Sequence, residues 1–137
     1  MFGSSAQVAD KVEIIRSYYR LVDSGRVESA VALFAEEACY ERPGTAPIRG
    51  RSALLRFLRG ADSWTTEHRL LTAIVADDQV AVRGRVVGRT PQAENVDLGF
   101  AEFWTVTDVG EILRRVSYFF IPPGPFDPAK GETESAG

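Results

Sequence analysis

The spacing of apolar residues changes near residue 60, and this change constrains the fold more than any other feature of the chain. Before that point, apolar positions recur every three to four residues. Val8, Val12, Ile15, Tyr19 and Val22 form one stripe, with Ile14, Tyr18 and Leu21 beside it, and this predicts a helix that buries a broad face. Ser4 or Ser5 is placed to cap it from about Ala6, and Asp23-Ser24-Gly25 to end it, with Gly25 in a left-handed cap. A second helix is predicted where Val27, Ala30, Val31, Leu33 and Phe34 share a face, closed by Glu36-Glu37. A third runs from about Arg51 to Arg59 over Leu54, Leu55, Phe57 and Leu58. Between them Ala38-Cys39-Tyr40-Glu41 reads as a short strand. Arg42-Pro43-Gly44 stops it, because proline offers no donor to a ladder, and Thr45 to Gly50 reads as a loop.

Beyond residue 60 the period is two. Leu70–Val75, Val80–Val87, Leu98–Val106 and Ile112–Ile121 read as strands. Asp77-Asp78 and Asp108-Val109-Gly110 read as hairpin turns, and Thr90 to Asn95 as a longer polar connection. Helices followed by antiparallel strands make an α+β domain. A curved, mainly antiparallel sheet wrapped around three helices leaves a cone open at one end, a natural small-molecule site. One domain is expected over residues 1–125, with 126–137 a flexible tail almost without apolar side chains.

Composition narrows the partners. Sixteen basic against nineteen acidic residues give a net charge of −3, no surplus for binding a phosphate backbone, so nucleic acid is not expected. The single cysteine, Cys39, cannot form an internal disulfide, and no Cys/His cluster suits a metal. Gly84, Gly88 and Gly99 precede no helix and form no phosphate loop, so no cofactor is expected. No apolar run approaches the roughly 20 residues that span a bilayer, and Met1 to Ser5 lack the pattern of a signal peptide. The expectation is a cytoplasmic protein acting on an apolar small molecule, away from membranes.

Four groups stand out as chemistry. Glu102 is a lone carboxylate within Phe100-Ala101-Glu102-Phe103-Trp104, where desolvation would favour the neutral acid. Its alternatives are a solvent-facing position or a pair with Arg114 or Arg115 on the next strand. Tyr18 and Tyr19 point about 100° apart on a helix, so at most one lines a pocket. His68 is the only histidine and suits proton transfer near neutrality, but only one of His68 and its neighbour Glu67 can point inward. Asp62 and Trp64 could sit at the pocket mouth or in a subunit contact. On the last strand Arg115, Ser117, Phe119 and Ile121 share one face, and Arg114, Val116, Tyr118 and Phe120 the other. Apolar groups on both faces suggest that the sheet's back is covered, as a homodimer would do.

Tyr18 through Gly25, Ala32 through Ala38, Pro47-Ile48-Arg49-Gly50-Arg51 and the late strand pair joined by Asp108-Val109-Gly110 resemble the nuclear transport factor 2-like superfamily. Within it, the likeness is to the SnoaL-like and ketosteroid isomerase-like proteins, over residues 8 to 121. The resemblance implies a cone-shaped α+β barrel with a deep apolar pocket. Ketosteroid isomerase-like members keep a helix-one tyrosine and a protonated late-strand acid as donors, and these fall on Tyr18 and Glu102. SnoaL-like polyketide cyclases rely on an acid at the same late-strand position, and polyether epoxide hydrolase-cyclases on paired acids in a similar pocket. Where the isomerases carry their aspartate base before a proline, this chain has Arg42, preceded by Glu41. An ungapped match points Tyr40 and Arg42 into the cone and Glu41 outward, and a one-residue bulge reverses this. Leu58 and Phe34 stand where the isomerases have further tyrosines.

The resemblance also turns Ser117 and Phe119 inward. The implied function is a cofactor-independent cyclase tailoring a polyketide-type molecule, with ring closure by carbon–carbon bond formation or by epoxide or conjugate opening by an internal oxygen. Glu102 and Tyr18 would be catalytic with His68 or Glu41, and Tyr40, Arg42, Trp64, Ser117 and Phe119 would bind substrate. A ketosteroid isomerase-like double-bond shift and a non-catalytic small-molecule binder are the alternatives.

Overall fold

The computed structural model of the chain describes residues 9–60 and 64–120. The proposed caps Ser4 and Ser5, the mouth candidate Asp62, Ile121 and the tail lie outside the described residues. Helix α1 spans Lys11–Asp23. It starts later than the apolar stripe suggests because Asp10 is its N-cap, accepting a hydrogen bond from the Glu13 backbone N–H at 3.1 Å. It ends as expected, with Gly25 at φ 77°.

Helix α2 is a five-residue turn, Val27–Val31. The expected continuation to Phe34 is instead the start of strand β1, Phe34–Glu41. Ala30, Val31 and Phe34 keep helical spacing and are all buried, so the pattern alone could not separate helix from strand. Glu36 and Glu37, predicted to close the helix, lie side by side and exposed where the β1 register shifts between Phe34 and Cys39. A two-residue strand β2, Ile48–Arg49, falls within the expected loop and precedes α3, Arg51–Gly60.

The four later strands are β3 (Thr65–Ala76), β4 (Gln79–Arg89), β5 (Asn95–Val106) and β6 (Ile112–Phe119). β3, β4 and β5 extend the sequence-predicted runs, mostly at the N-terminal ends through polar residues that alternation does not register, whereas β6 starts as expected at Ile112 and ends at Phe119. The six strands form one curved, unclosed sheet in the order β2-β1-β6-β5-β4-β3. All pairs are antiparallel except β1 with β6, which is parallel.

Two glycines let the far wall bend. A Cβ on Gly84 would meet Arg69 O at 2.4 Å and the Phe100 ring at 2.6 Å, and one on Gly88 would meet Thr65 O at 1.7 Å. Inside the curve, α1 packs Ile15, Tyr18 and Tyr19 onto Phe34, Phe100 and Trp104. Tyr18 meets Trp104 edge-on at 5.3 Å and Phe34 at 5.5 Å. The Lys11 ammonium ties the start of α1 to both hairpin turns, donating to Asp77 O and Asp108 Oδ1 at 2.8 Å each.

Candidate active site

The concave face holds a cavity of about 780 Å³. Tyr18 and Asp23 of α1, Arg42 after β1, Phe57 of α3, His68 of β3 and Arg115 of β6 are among the groups on its wall, with Leu58, Val86 and Leu98 making it largely apolar. Behind this wall lies a buried polar cluster.

Glu102, on β5, is 1% exposed and Arg115, on the paired strand β6, is 6% exposed. Arg115 donates from Nε to Glu102 Oε2 at 2.8 Å, and its Nη2 completes the ion pair at 2.6 Å from the same oxygen. Ser117 Oγ also donates to Oε2, and Tyr19 OH donates to Oε1. Every contact to this carboxyl group comes from a donor, so it acts as an acceptor throughout, the part of an ionised carboxylate. The expectation of a neutral acid at Glu102 is therefore corrected to one of the open alternatives, the pair with Arg115. Glu102 is also not on the cavity wall. Arg115, which does line the cavity, holds the Glu102 carboxylate from the cavity side.

The Arg115 guanidinium is packed between the rings of Tyr40 (4.4 Å), Tyr18 (4.9 Å) and Trp104 (4.9 Å). Burial is the largest single influence and opposes its charge, but the Glu102 carboxylate together with the Tyr18, Tyr40 and Tyr19 hydroxyls outweighs it, and the pKa is raised well above the ordinary arginine value. Its Nη1 donates to Tyr18 OH at 2.7 Å. The Tyr18 oxygen is thus an acceptor for a cation, while its own proton has no acceptor among the described residues. Burial pushes the Tyr18 phenol up to about 12, and Arg115 partly offsets this. At neutral pH Tyr18 is a protonated donor facing the cavity. Tyr19 is raised too, by burial and by the charge of Glu102. The Trp104 indole N–H is buried without a well-formed hydrogen bond. Tyr40 OH meets Ser117 Oγ at 2.9 Å, which extends the cluster to β1.

A second polar unit stands across the Tyr19 ring. His68 stacks on Tyr19 with centroids 4.9 Å apart and planes within 5°. Its Nδ1 lies 2.6 Å from Asp23 Oδ1, its backbone N–H donates to Asp23 Oδ2 at 2.7 Å, and Thr66 Oγ1 donates to Oδ1 at 3.0 Å. With the hydrogen on Nδ1 donated to Asp23, Nε2 keeps a lone pair with no partner among the described residues, on a side chain that lines the cavity.

The sequence-predicted residues divide clearly. Tyr18, Tyr40, Arg42, Trp64, His68 and Phe119 line the cavity, and Ser117 is buried in the cluster behind it. His68 is inward and Glu67 outward, paired on the surface with Arg69. Glu41 is a correction. It sits on the outer face of the sheet, held by Arg114 Nε at 2.8 Å and grouped with Phe103 and Tyr118, because β1 runs without a bulge from Cys39 to Glu41. Sequence reasoning gives Arg115 only as an alternative partner of Glu102 and does not single out Tyr19 or Asp23 as part of the site. For Asp23 no local signal exists, since its partner lies 45 residues away.

Residues 15–115 match the family model of the SnoaL-like domain. No curated protein matches the chain. Among solved structures, the chain is similar to the epoxide hydrolase/cyclase-like enzyme SalBIII of pyran ring formation in the polyether salinomycin. The TM-score is 0.73 and the identity 22%, covering 81% of this chain and 91% of that one. A candidate polyketide cyclase from Xanthomonas campestris pv. campestris gives a TM-score of 0.72 at 21% identity, over 80% and 90% of the two chains. A ketosteroid isomerase-like protein from Catenulispora acidiphila, in complex with trimethylamine, gives 0.71 at 18% identity, over 77% and 84%.

Proposed function

The chain belongs to the SnoaL-like domain family, and from that premise we propose that it is a cofactor-independent enzyme that closes a ring in an apolar, polyketide-type molecule by acid–base catalysis. One observation carries the reading. Tyr18 and His68 line one cavity, and the Tyr18 hydroxyl hydrogen and the His68 Nε2 lone pair have no partner among the described residues, while each side chain is backed by a charged group.

In this reading His68 Nε2 takes the proton from the attacking hydroxyl or carbon acid, and Asp23 stabilises the imidazolium that forms. Tyr18 donates to the oxygen on which negative charge grows, such as an epoxide oxygen as its C–O bond breaks. Arg115 behind the phenol strengthens that donation. The new C–O or C–C bond takes the place of the broken one. The proton held on His68 then passes to the released oxygen, so the product is an isomer of the substrate. Glu102 touches no substrate and is a positioning residue. It holds Arg115, which holds Tyr18.

The test incubates purified protein with three probes: a hydroxy-epoxide chain, a poly-β-keto ester and a β,γ-unsaturated ketosteroid. Products are followed by mass-resolved chromatography. Cyclised product of unchanged mass from either of the first two, without added cofactor, is the expected result. Conversion of the ketosteroid alone would instead favour a double-bond isomerase, and no turnover of any probe by folded protein would overturn the catalytic reading.

A further inference from the structure

Arg42 is a half-buried cation of the cavity wall with no ion pair among the described residues. Its guanidinium carbon lies 5.0 Å from the Phe57 ring centroid, 5.2 Å from Phe119 and 5.8 Å from Tyr40. Three rings from three different elements hold it, so its plane is fixed rather than free to wander into solvent. Among the described residues it forms no ion pair and no hydrogen bond, which leaves all five of its N–H donors available. The other charges at the wall are engaged or solvated. Arg115 is matched by Glu102, and Asp23 accepts from His68 and Thr66. Arg56 is exposed at the rim. The Arg42 charge also reaches Tyr18, whose pKa it lowers, so a group bound to Arg42 lies within electrostatic range of the donor.

We propose that Arg42 is the anchor for a carboxylate on the substrate, so that the molecule accepted here is an apolar acid held by its carboxylate while the reacting oxygen meets Tyr18. A guanidinium fork fits a planar, singly charged carboxylate through two parallel hydrogen bonds. Phosphate, with more charge and more oxygens to satisfy, finds no second held cation beside it. Val22, Val27, Leu58, Val86, Val96 and Leu98 supply a broad apolar part of the wall, which suits a long or ring-bearing apolar body. This substrate class rests on the acid–base reading of the same cavity, but it is testable without turnover.

The test measures binding of 1-pyrenebutyrate, its primary amide and the matching phosphonate by fluorescence and calorimetry. Wild type should prefer the carboxylate over the amide by about 10- to 100-fold, the worth of a charge-assisted bidentate contact in a partly dry site. Arg42→Met should erase the preference and leave amide binding unchanged. Arg42→Lys, which keeps the charge without the fork and guards against a folding defect in the first variant, should retain only part of it. Tyr18→Phe and His68→Gln should leave the ratio intact. A ratio that survives those two changes in a protein without turnover would support the carboxylate site while removing the catalytic reading. Equal affinity for acid and amide, preference for the phosphonate, an undiminished ratio in Arg42→Met, or no binding of any probe would overturn the proposal.

Discussion

Replacing Glu102 with glutamine changes one oxygen for one NH2 group, yet the surroundings make it a severe substitution. The wild-type carboxylate is 1% exposed, is ion-paired with Arg115 and accepts one hydrogen bond each from Arg115, Ser117 and Tyr19. A glutamine offers one acceptor oxygen to those donors and turns its own NH2 toward a hydroxyl that was donating. More importantly, Arg115 remains buried at 6% exposure with no charge opposite. Breaking a buried pair from one side costs about 3–5 kcal/mol, because the surviving charge is uncompensated. That is a large share of the roughly 5–15 kcal/mol available to a domain of this kind. With a urea dependence of about 2 kcal/mol per molar, the unfolding midpoint of Glu102→Gln should fall by about 2 M, read by circular dichroism. Adding Arg115→Met removes the orphaned cation and should recover much of the loss, a non-additivity expected only of groups in contact. A midpoint within about 0.5 M of wild type at unchanged slope, or a double variant as unstable as the sum of the singles, would refute the buried-pair reasoning.

Tyr18→Phe removes the free donor and should lower turnover by about 10- to 10³-fold, while His68→Gln should cost about 10²- to 10⁴-fold, both measured on whichever probe is converted. The Tyr18 phenol, about 10 when unfolded and pushed up to about 12 in the fold, contributes stability that is whole below pH about 10 and is lost as pH rises to about 12, on the order of 3 kcal/mol. Alkaline unfolding monitored with phenolate absorbance should therefore show the buried tyrosines ionising together with unfolding. Titration of all tyrosines near pH 10 in folded protein would contradict this. The outer sheet face, with Phe103, Tyr118, Phe120 and Ile74 each half or more exposed, is expected to pair two copies. Light scattering should find a dimer that Tyr118→Glu converts to monomer, and a wild-type monomer at micromolar concentration would count against it.

The two periods in the sequence carry the architecture, because helix spacing before residue 60 and alternation after it each follow from which side chains must be buried. Alternation on β6 places Arg115, Ser117 and Phe119 inward, and the same rule on β1 puts Tyr40 and Arg42 inside and Glu41 outside once no bulge intervenes. What the pattern could not resolve is the chemistry of contacts distant in sequence. Glu102 among aromatics suggests desolvation, and only the strand register shows Arg115 and Ser117 reaching it from β6. Asp23 reads as part of a helix stop, yet it carries three hydrogen bonds to β3. Phe34 reads as helical because a two-turn apolar stripe and the start of a buried strand look alike at that length.

The central claim is that Asp23 fixes His68 so that a basic nitrogen faces the cavity, and the tautomer of the one histidine tests it without any substrate. Tag-free, 15N-labelled protein in alkaline buffer gives separate nitrogen resonances for a protonated and an unprotonated ring nitrogen. The predicted result is hydrogen on Nδ1 and a bare Nε2, with this preference weakened in Asp23→Asn. Hydrogen found on Nε2 in the wild type would leave His68 no free basic nitrogen for the substrate and would contradict the claim.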